Sequence, residues 1–448
     1  MLAVLTVCCS PAVAACSDTA SLLQLPDPLL LAVLQFCADD PSSVCSAAIA
    51  HSRLHQAAVL ALTSITADVD DEEQLDSLLL YMEKHGQHVD SITLTGDTDT
   101  GNWGEMISRD QVDVSVTLHK FPASLQLRSL ECNNMDIVQR YPDEGFRMVL
   151  DPEAPLKRLR LKECCLNGHI YLSEEIVGAL SRLTTLEHLS IVNCMSDTLD
   201  YDVCVVACAD GLFEELQQLT YLELSGVFLH HREEYNMPAE PNLQALTRLV
   251  DLRLGSFTDD VCSSIASADM LSGLSRLTRL DLKGFEGVDA GVLAGKTLLQ
   301  HLDLSHNTTY DGPDAAELLS MLQPLQQLTH LNLDGSWADF EEGSAPTAAA
   351  FSALTASTKL QYLRMHGCMV PSGLWRHMFP ARKRLPHLRS LDLSHATAAS
   401  GGKAMAPEGS CIVRCCPTLK SLHIYGLEHS TTLLAQLKKL NGLHVFKC

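Results

Sequence analysis

Residues 277–307 read LTRLDLKGFEGVDAGVLAGKTLLQHLDLSHN, and they contain the pattern Leu-x-x-Leu-x-Leu twice, at Leu277/Leu280/Leu282 and at Leu299/Leu302/Leu304. Outward from this stretch the pattern, or a close substitute, recurs thirteen times. Its first positions are Val89, Leu127, Leu156, Leu186, Leu219, Leu249, Leu277, Leu299, Leu328, Leu360, Leu388, Leu419 and Leu440. From 89 to 440 there are twelve intervals, with a mean near 29 residues, and such a register identifies an internal repeat. The apolar positions of a short strand point into each coil and the residues between them point out, so stacked copies bury one continuous leucine core.

Five residues beyond the second apolar position the coil turns inward and needs a side chain that satisfies backbone groups, typically Asn or Cys. Cys164, Cys194, Asn307, Cys368 and Cys448 fall there. Between strands, residues 314–325, 347–360 and 374–388 carry apolar side chains at three- and four-residue spacing, which predicts helices. The long interval from Thr95 to Leu127, with Gly, Asp, Asn and Trp103, predicts a protruding loop. With this period the array resembles the ribonuclease-inhibitor-like class of leucine-rich repeats. The expected fold is an α/β solenoid over residues 69–448, a leucine-rich-repeat horseshoe of about 13 repeats with a parallel concave sheet and convex helices.

The concave face is read two and four residues after each first leucine. It carries Arg158, Arg160, His188, Tyr221, Glu223, Asp251, Arg253, Arg279, Asp281, His301, Asp303, His330, Asn332, Tyr362, Arg364 and His423, the candidate residues for binding a target protein. Tyr and Arg are the types that most often anchor interfaces. Neighbours of opposite charge, such as Arg279 beside Asp303, are expected to neutralise one another.

Ahead of the repeats, residues 21–68 read as amphipathic helical segments with a turn at 38–43. Leu25-Pro26-Asp27, the apolar face Leu30, Leu31, Val33, Leu34 and Phe36, and the later helix at 44–54 resemble an F-box. Leu54 stands where many F-boxes carry Trp. An F-box followed by leucine-rich repeats is the layout of substrate adaptors in cullin-RING (SCF-type) ubiquitin ligases. The resemblance therefore implies a non-catalytic adaptor, with Leu25, Pro26, Leu30, Leu34 and Leu54 docking on a Skp-type linker that joins it to a cullin. The ubiquitin-conjugating partners would supply the catalysis. On residues alone the segment also reads as a helical cap over the apolar end of the array. An alternative is a ligase-independent scaffold or a regulator of a small GTPase, since Ran GTPase-activating proteins share this repeat class.

Composition bounds the rest. The 448 residues are 46% hydrophobic and 19% charged, the range of a folded chain. Fifty-five acidic against 32 basic residues give a net charge of −23, which repels phosphate backbones and anionic lipid, so neither nucleic acid nor membrane is an expected partner. Seventeen cysteines without a Cys-x-x-Cys pair read as reduced thiols in a cytoplasmic or nuclear protein. Residues 1–20 read as a disordered extension, similar to a secretory signal apart from the missing basic start. Gly291-Val-Leu-Ala-Gly-Lys296-Thr297 has part of a phosphate-binding loop but lacks its leading glycine and its strand-to-helix setting. His51 and His55 lack a third metal ligand, and Cys411, Cys415 and Cys416 match no zinc spacing. The sequon at Asn307 coincides with the inward-turning position. No cofactor is expected, and no nucleophile, base and orienting group can be placed together.

Overall fold

The computed structural model describes residues 26–36, 56–58, 63–69, 72–96, 127–134, 136–137, 156–166, 180–192, 195–196, 204–205, 212–225, 227–228, 243–255, 265–266, 268–285, 287–307, 315–336, 347–398, 402–428 and 432–446. The chain divides into two units, one up to Ser190 together with residues 194–202, the other comprising 191–193 and everything from Val203.

In the first unit the strands β1 (Ser64–Val69), β2 (Ser91–Gly96), β3 (Ser129–Asn133) and β4 (Arg158–Lys162) pair in parallel, each with the next. A further strand, β5 (His188–Val192), spans the division between units. In the second unit β6 (Tyr221–Ser225), β7 (Asp251–Gly255), β8 (Arg279–Asp281), β9 (His301–Asp303), β10 (His330–Asn332), β11 (Tyr362–Arg364), β12 (Ser390–Asp392), β13 (Ser421–His423) and β14 (His444–Phe446) follow the same rule. Their partners are equivalent positions of successive repeats up to β13, and β14 pairs two residues later in its repeat. Leucines fall opposite leucines, as in Leu252–Leu280–Leu302–Leu331–Leu363–Leu391–Leu422, and all of these are buried. Strand side chains alternate, so one face of the sheet is a leucine core and the other meets solvent.

All thirteen sequence-predicted strands are present, and β1 precedes them; the last, β14, lies two residues later than the spacing gave, with Val445 rather than Leu443 opposite Leu422. Residues 21–68 read as helical to their end, yet Ser64–Val69 is a strand in register with β2. The sequence explains this: Ser64-Ile65-Thr66-Ala67 repeats Ser91-Ile92-Thr93-Leu94, with Ala67 in the place of the last leucine. The helical part of that segment is represented by α1 (Asp27–Phe36) and helical residues 56–58. The long helix α2 (Glu72–His85) leads into β2.

The expected helices between strands are shorter than the apolar spacing implied. The helix predicted at 314–325 is α3 (Ala315–Leu322). At 347–360 the chain makes only a 3-10 turn, Ala350–Thr355. At 374–388 the helix α4 (Leu374–Met378) stops after five residues, before Pro380, because proline cannot donate to a helix and disfavours helical backbone in the residue before it.

Two local rules fix each coil. The residue seven beyond the first apolar position has a left-handed backbone in eight repeats, at Asn134, Glu163, Gly284, His306, Gly335, Gly367, His395 and Gly426, whereas Gly96, the equivalent residue after Val89, is the last residue of β2. This kink ends the strand, and glycine accepts it at least cost. The next residue, where it is Cys, Ser or Asn, turns inward and bonds to the coil before it. Cys164 Sγ donates to the Cys132 carbonyl at 3.2 Å and Cys368 Sγ to that of Leu333 at 2.9 Å, while Ser336 Oγ donates to that of Leu304. Asn307 Oδ1 accepts the buried Phe285 amide at 2.9 Å. Cys164, Cys368 and Asn307 are where the sequence placed inward-turning residues, Ser336 is one it did not name, and Cys194 and Cys448 lie outside the described residues. Burial raises the thiol pKa of Cys132 and Cys368, as expected for structural rather than reactive cysteines.

Candidate functional site: the solvent faces of the sheet

In the second unit the register arranges the solvent-facing side chains into two rows. The first runs Tyr221, Asp251, Arg279, His301, His330, Tyr362, Ser390, Ser421, His444. The second runs Glu223, Arg253, Asp281, Asp303, Asn332, Arg364, Asp392, His423, Phe446. Neighbours in a row are one strand spacing apart, about 4.8 Å, which suits face-to-face rings. His301 stacks on His330 with ring centres 4.1 Å apart, and His330 on Tyr362 at 4.4 Å, the planes within 16° of parallel. A second stack joins His423 to Phe446 at 4.3 Å, and at the kink His395 lies between His366 and Tyr425. Tyr362, Tyr425 and Phe446 are exposed.

Burial, His301 and Arg279 together push the His330 pKa down to about 4. His301 is lowered by burial and then by Arg279. Both imidazoles are therefore neutral near pH 7, and the three rings form an apolar strip.

Beside this strip the ionic groups are unevenly matched. Arg253 grips Asp251 with two hydrogen bonds of 3.0 and 3.1 Å, reaches Glu223 at 3.8 Å and lies over the Tyr221 ring. The hydroxyl of Tyr221 donates to Glu223 at 2.7 Å. Arg364 turns to Asp334, 2.6 Å away, rather than to Asp392 opposite it in the row. Asp281 and Asp303 face each other across adjacent strands, and neither has an ion pair among the described residues. Burial and the Asp303 charge raise the Asp281 pKa to about 6, against the smaller opposing effects of the Lys283 amide, Arg279 and Arg253. The expected neutralisation of Asp303 by Arg279 is not what the register gives: Arg279 stands opposite His301, and Asp303 opposite a second carboxylate.

The first unit presents different chemistry. Arg158, Arg160 and Lys162 point to the solvent side of β4 while Leu159 and Leu161 are buried. Arg160 meets Glu131 at 3.6 Å, Lys162 meets Glu163 at 3.4 Å and, at the start of the coil, Lys157 meets Glu187 at 2.6 Å.

All the concave-face candidates thus lie on the solvent side, His188 in β5 among them, and the same counting reaches Asp392, which the sequence reading passed over; Phe446 lies six residues beyond Leu440, outside that counting, and only the register brings it opposite His423. His395 at its kink and Asp334, His366 and Tyr425 just before theirs were also missed, because they follow the strands whose alternation guided the reading. The F-box-like candidates divide. Leu30 and Leu34, expected to dock on a linker, are buried, with 1% and 4% of their surface exposed, whereas Pro26, Leu29 and Val33 are exposed. The helix spacing sets this: Leu30 and Leu34 share one face and Leu29 and Val33 the next. Leu25 and Leu54 lie outside the described residues, as do His51 and His55.

The stretch from Gly291 to Thr297 begins in a 3-10 turn, Ala290–Leu293, capped by Asp289, whose carboxylate accepts the Gly291 amide at 2.8 Å; Lys296, beyond the turn, is buried. An acidic cap occupies the position a phosphate would need. Cys415 and Cys416 are buried in the core. No helix among the described residues is long and apolar enough to cross a membrane.

No protein-family model matches the chain, and neither does any curated protein. Its backbone is similar to solved structures. A leucine-rich-repeat protein of Leptospira interrogans superposes with a TM-score of 0.53 at 17% identity, over 89% of this chain and 80% of that one. An internalin of Listeria monocytogenes superposes with a TM-score of 0.52 at 14% identity, over 91% of this chain and 93% of that one. The fold is a leucine-rich-repeat fold. At these identities the likeness concerns the backbone, and the chemistry of the faces is this chain's own.

Proposed function

We propose that this chain is a non-catalytic recognition subunit that holds a partner protein on the solvent face of its second unit. The observation that carries this is the His301–His330–Tyr362 stack, three aligned neutral rings on a sheet face flanked by charged groups. A fold needs only a soluble face there, and rows of Ser, Thr or Lys would provide one. Aromatic area set among polar groups instead matches the make-up of interface anchors. The test is affinity capture from a lysate of the source organism, comparing the wild type with His330→Ala/Tyr362→Ala. A partner retained by the wild type and lost by the variant supports the reading, and equal retention refutes it.

The finer reading is that the partner is a substrate and the N-terminal segment links the chain to a cullin-RING ligase through a Skp-type linker. It rests on the resemblance of residues 21–68 to an F-box and on exposed Pro26, Leu29 and Val33 on and before α1. The full chain should retain purified linker and cullin, and Leu29→Asp/Val33→Asp should release them without lowering the melting temperature. If the wild type fails to bind, the segment is a cap and the chain a scaffold independent of the ligase.

A further inference from the structure

The second row of the acidic face contains charge that the fold does not use. Each Asp or Asn in it, at the end of its strand, accepts the amide two residues on: Asp281 from Lys283 at 3.1 Å, Asp303 from Ser305 at 2.9 Å, Asn332 from Asp334 at 3.2 Å and Asp392 from Ser394 at 3.0 Å. Such side-chain turns suit Asn and Asp alike, and Asn332 shows that a neutral amide suffices here. The second oxygen of Asp303 accepts from Asn332 at 2.9 Å, but those of Asp281 and Asp392 have no partner among the described residues. The cations of the face are engaged elsewhere, Arg253 with Asp251 and Glu223, Arg364 with Asp334. Arg279 stands across from His301 in the other row.

Two like charges on adjacent strands without a counterion destabilise a sheet. Their cost is visible in the elevated pKa of Asp281, set by burial and Asp303 against Lys283 N–H, Arg279 and Arg253. The fold thus carries unneeded negative charge alongside an apolar strip of rings. A long basic side chain satisfies both, with its methylenes on the rings and its head on the carboxylates.

We infer that this face binds an extended arginine-bearing segment of a partner protein, one guanidinium held by Asp281 and Asp303 and a second by Asp392 beyond Tyr362. The inference rests on the proposed partner-binding role and names the chemistry of the partner. Asp392 lies three strands from Asp303, about 14 Å at the usual strand spacing. An extended chain covers that in about four residues. Acidic protein and basic segment also attract at long range, which speeds their encounter.

The test uses the full chain and a fluorescein-labelled peptide, Gly-Arg-Gly-Ser-Gly-Arg-Gly, titrated by anisotropy at about 0.15 M salt. A peptide with both arginines replaced by citrulline keeps the shape without the charge. The wild type should bind the arginine peptide saturably and at least about tenfold more tightly than the citrulline peptide. Asp281→Asn/Asp303→Asn, which keeps both turn bonds, should weaken binding about tenfold, and Asp392→Asn about threefold. The control Glu214→Gln/Glu215→Gln removes two exposed charges of the same unit away from the sheet and should change it less than about twofold. Absence of saturable binding, equal binding of the citrulline peptide, or an equal loss in the control overturns the inference. A partner captured through His330 and Tyr362 whose retention ignores Asp281→Asn/Asp303→Asn would sink this inference and leave the proposed function standing. Loss of capture dependence on the rings would do the reverse.

Discussion

The two units bury the same core and present opposite faces. In the first, β4 offers Arg158, Arg160 and Lys162, two of them matched with glutamates that stand ready beside them. In the second, β8 and β9 place two carboxylates together and rings where counterions could have been. The leucine positions are governed by one requirement, burial, and so repeat without regard to unit. The solvent positions are free of that requirement, so what varies between the faces reports on something other than folding.

The largest effects should therefore be indifferent to the unit. Leu159→Ala and Leu280→Ala each empty a buried site and should cost ~2–5 kcal/mol in denaturant titrations. If one of them costs much less than the other, the cores are not equivalent and the comparison fails at its base. Next come the inward-turning residues. Asn307→Ala strands the buried Phe285 amide and should cost ~1–3 kcal/mol. Cys164→Ala removes a weak thiol donor from a carbonyl and should cost less, ~0.5–1.5 kcal/mol. Similar losses would show that the two residue types are interchangeable.

A third prediction has opposite sign. In the folded chain Asp281 keeps its proton up to about pH 6, and in the unfolded chain only up to about 4. Between those values the folded state binds more protons, so stability falls as pH rises through the window. Asp281→Asn should remove that loss, stabilising by ~1–2 kcal/mol at pH 7 after allowance for solvent screening, and by nothing near pH 3.5. A gain that persists at low pH would mean that charge is not its cause. The smallest effect belongs to the first unit. Arg160→Ala breaks a half-exposed pair with Glu131 and should change stability by less than ~0.5 kcal/mol. A larger loss would show that the basic face, too, is tuned.

The fold was legible wherever burial dictated residue type. Leucine at fixed spacing marked thirteen strands, and Cys or Asn marked the inward turns. What escaped was a copy whose burial is incomplete: β1, where Ala67 stands in for leucine and Ile65 is only half-buried. Helix lengths escaped because apolar spacing specifies which face is covered, not how many turns cover it, and at 374–388 proline decided the matter. The solvent rows were legible as positions, since alternation is strict. Their chemistry was legible only in part: counting from Leu277 and Leu299 already sets Asp281 beside Asp303, but not that Arg253 and Arg364 turn to other carboxylates. Likewise, Leu30 and Leu34 carry the apolar pattern of an F-box, yet the pattern alone cannot distinguish a face that docks on a partner from one that is buried.

The inward-turning bonds have a consequence for how such a chain can change its length. Each runs from one coil to the carbonyl or amide of the coil before it, as Ser336 does to Leu304 and Cys368 to Leu333, and never skips a neighbour. Excising residues 299–327 would therefore bring Ser336 against Leu282, the counterpart of Leu304, and leave the kinds of partner unchanged. Gene segments encoding whole coils can be duplicated or lost with the joints re-forming. The binding rows, by contrast, would be cut and respliced at each such event, so recognition can be rewritten in steps while the stack survives.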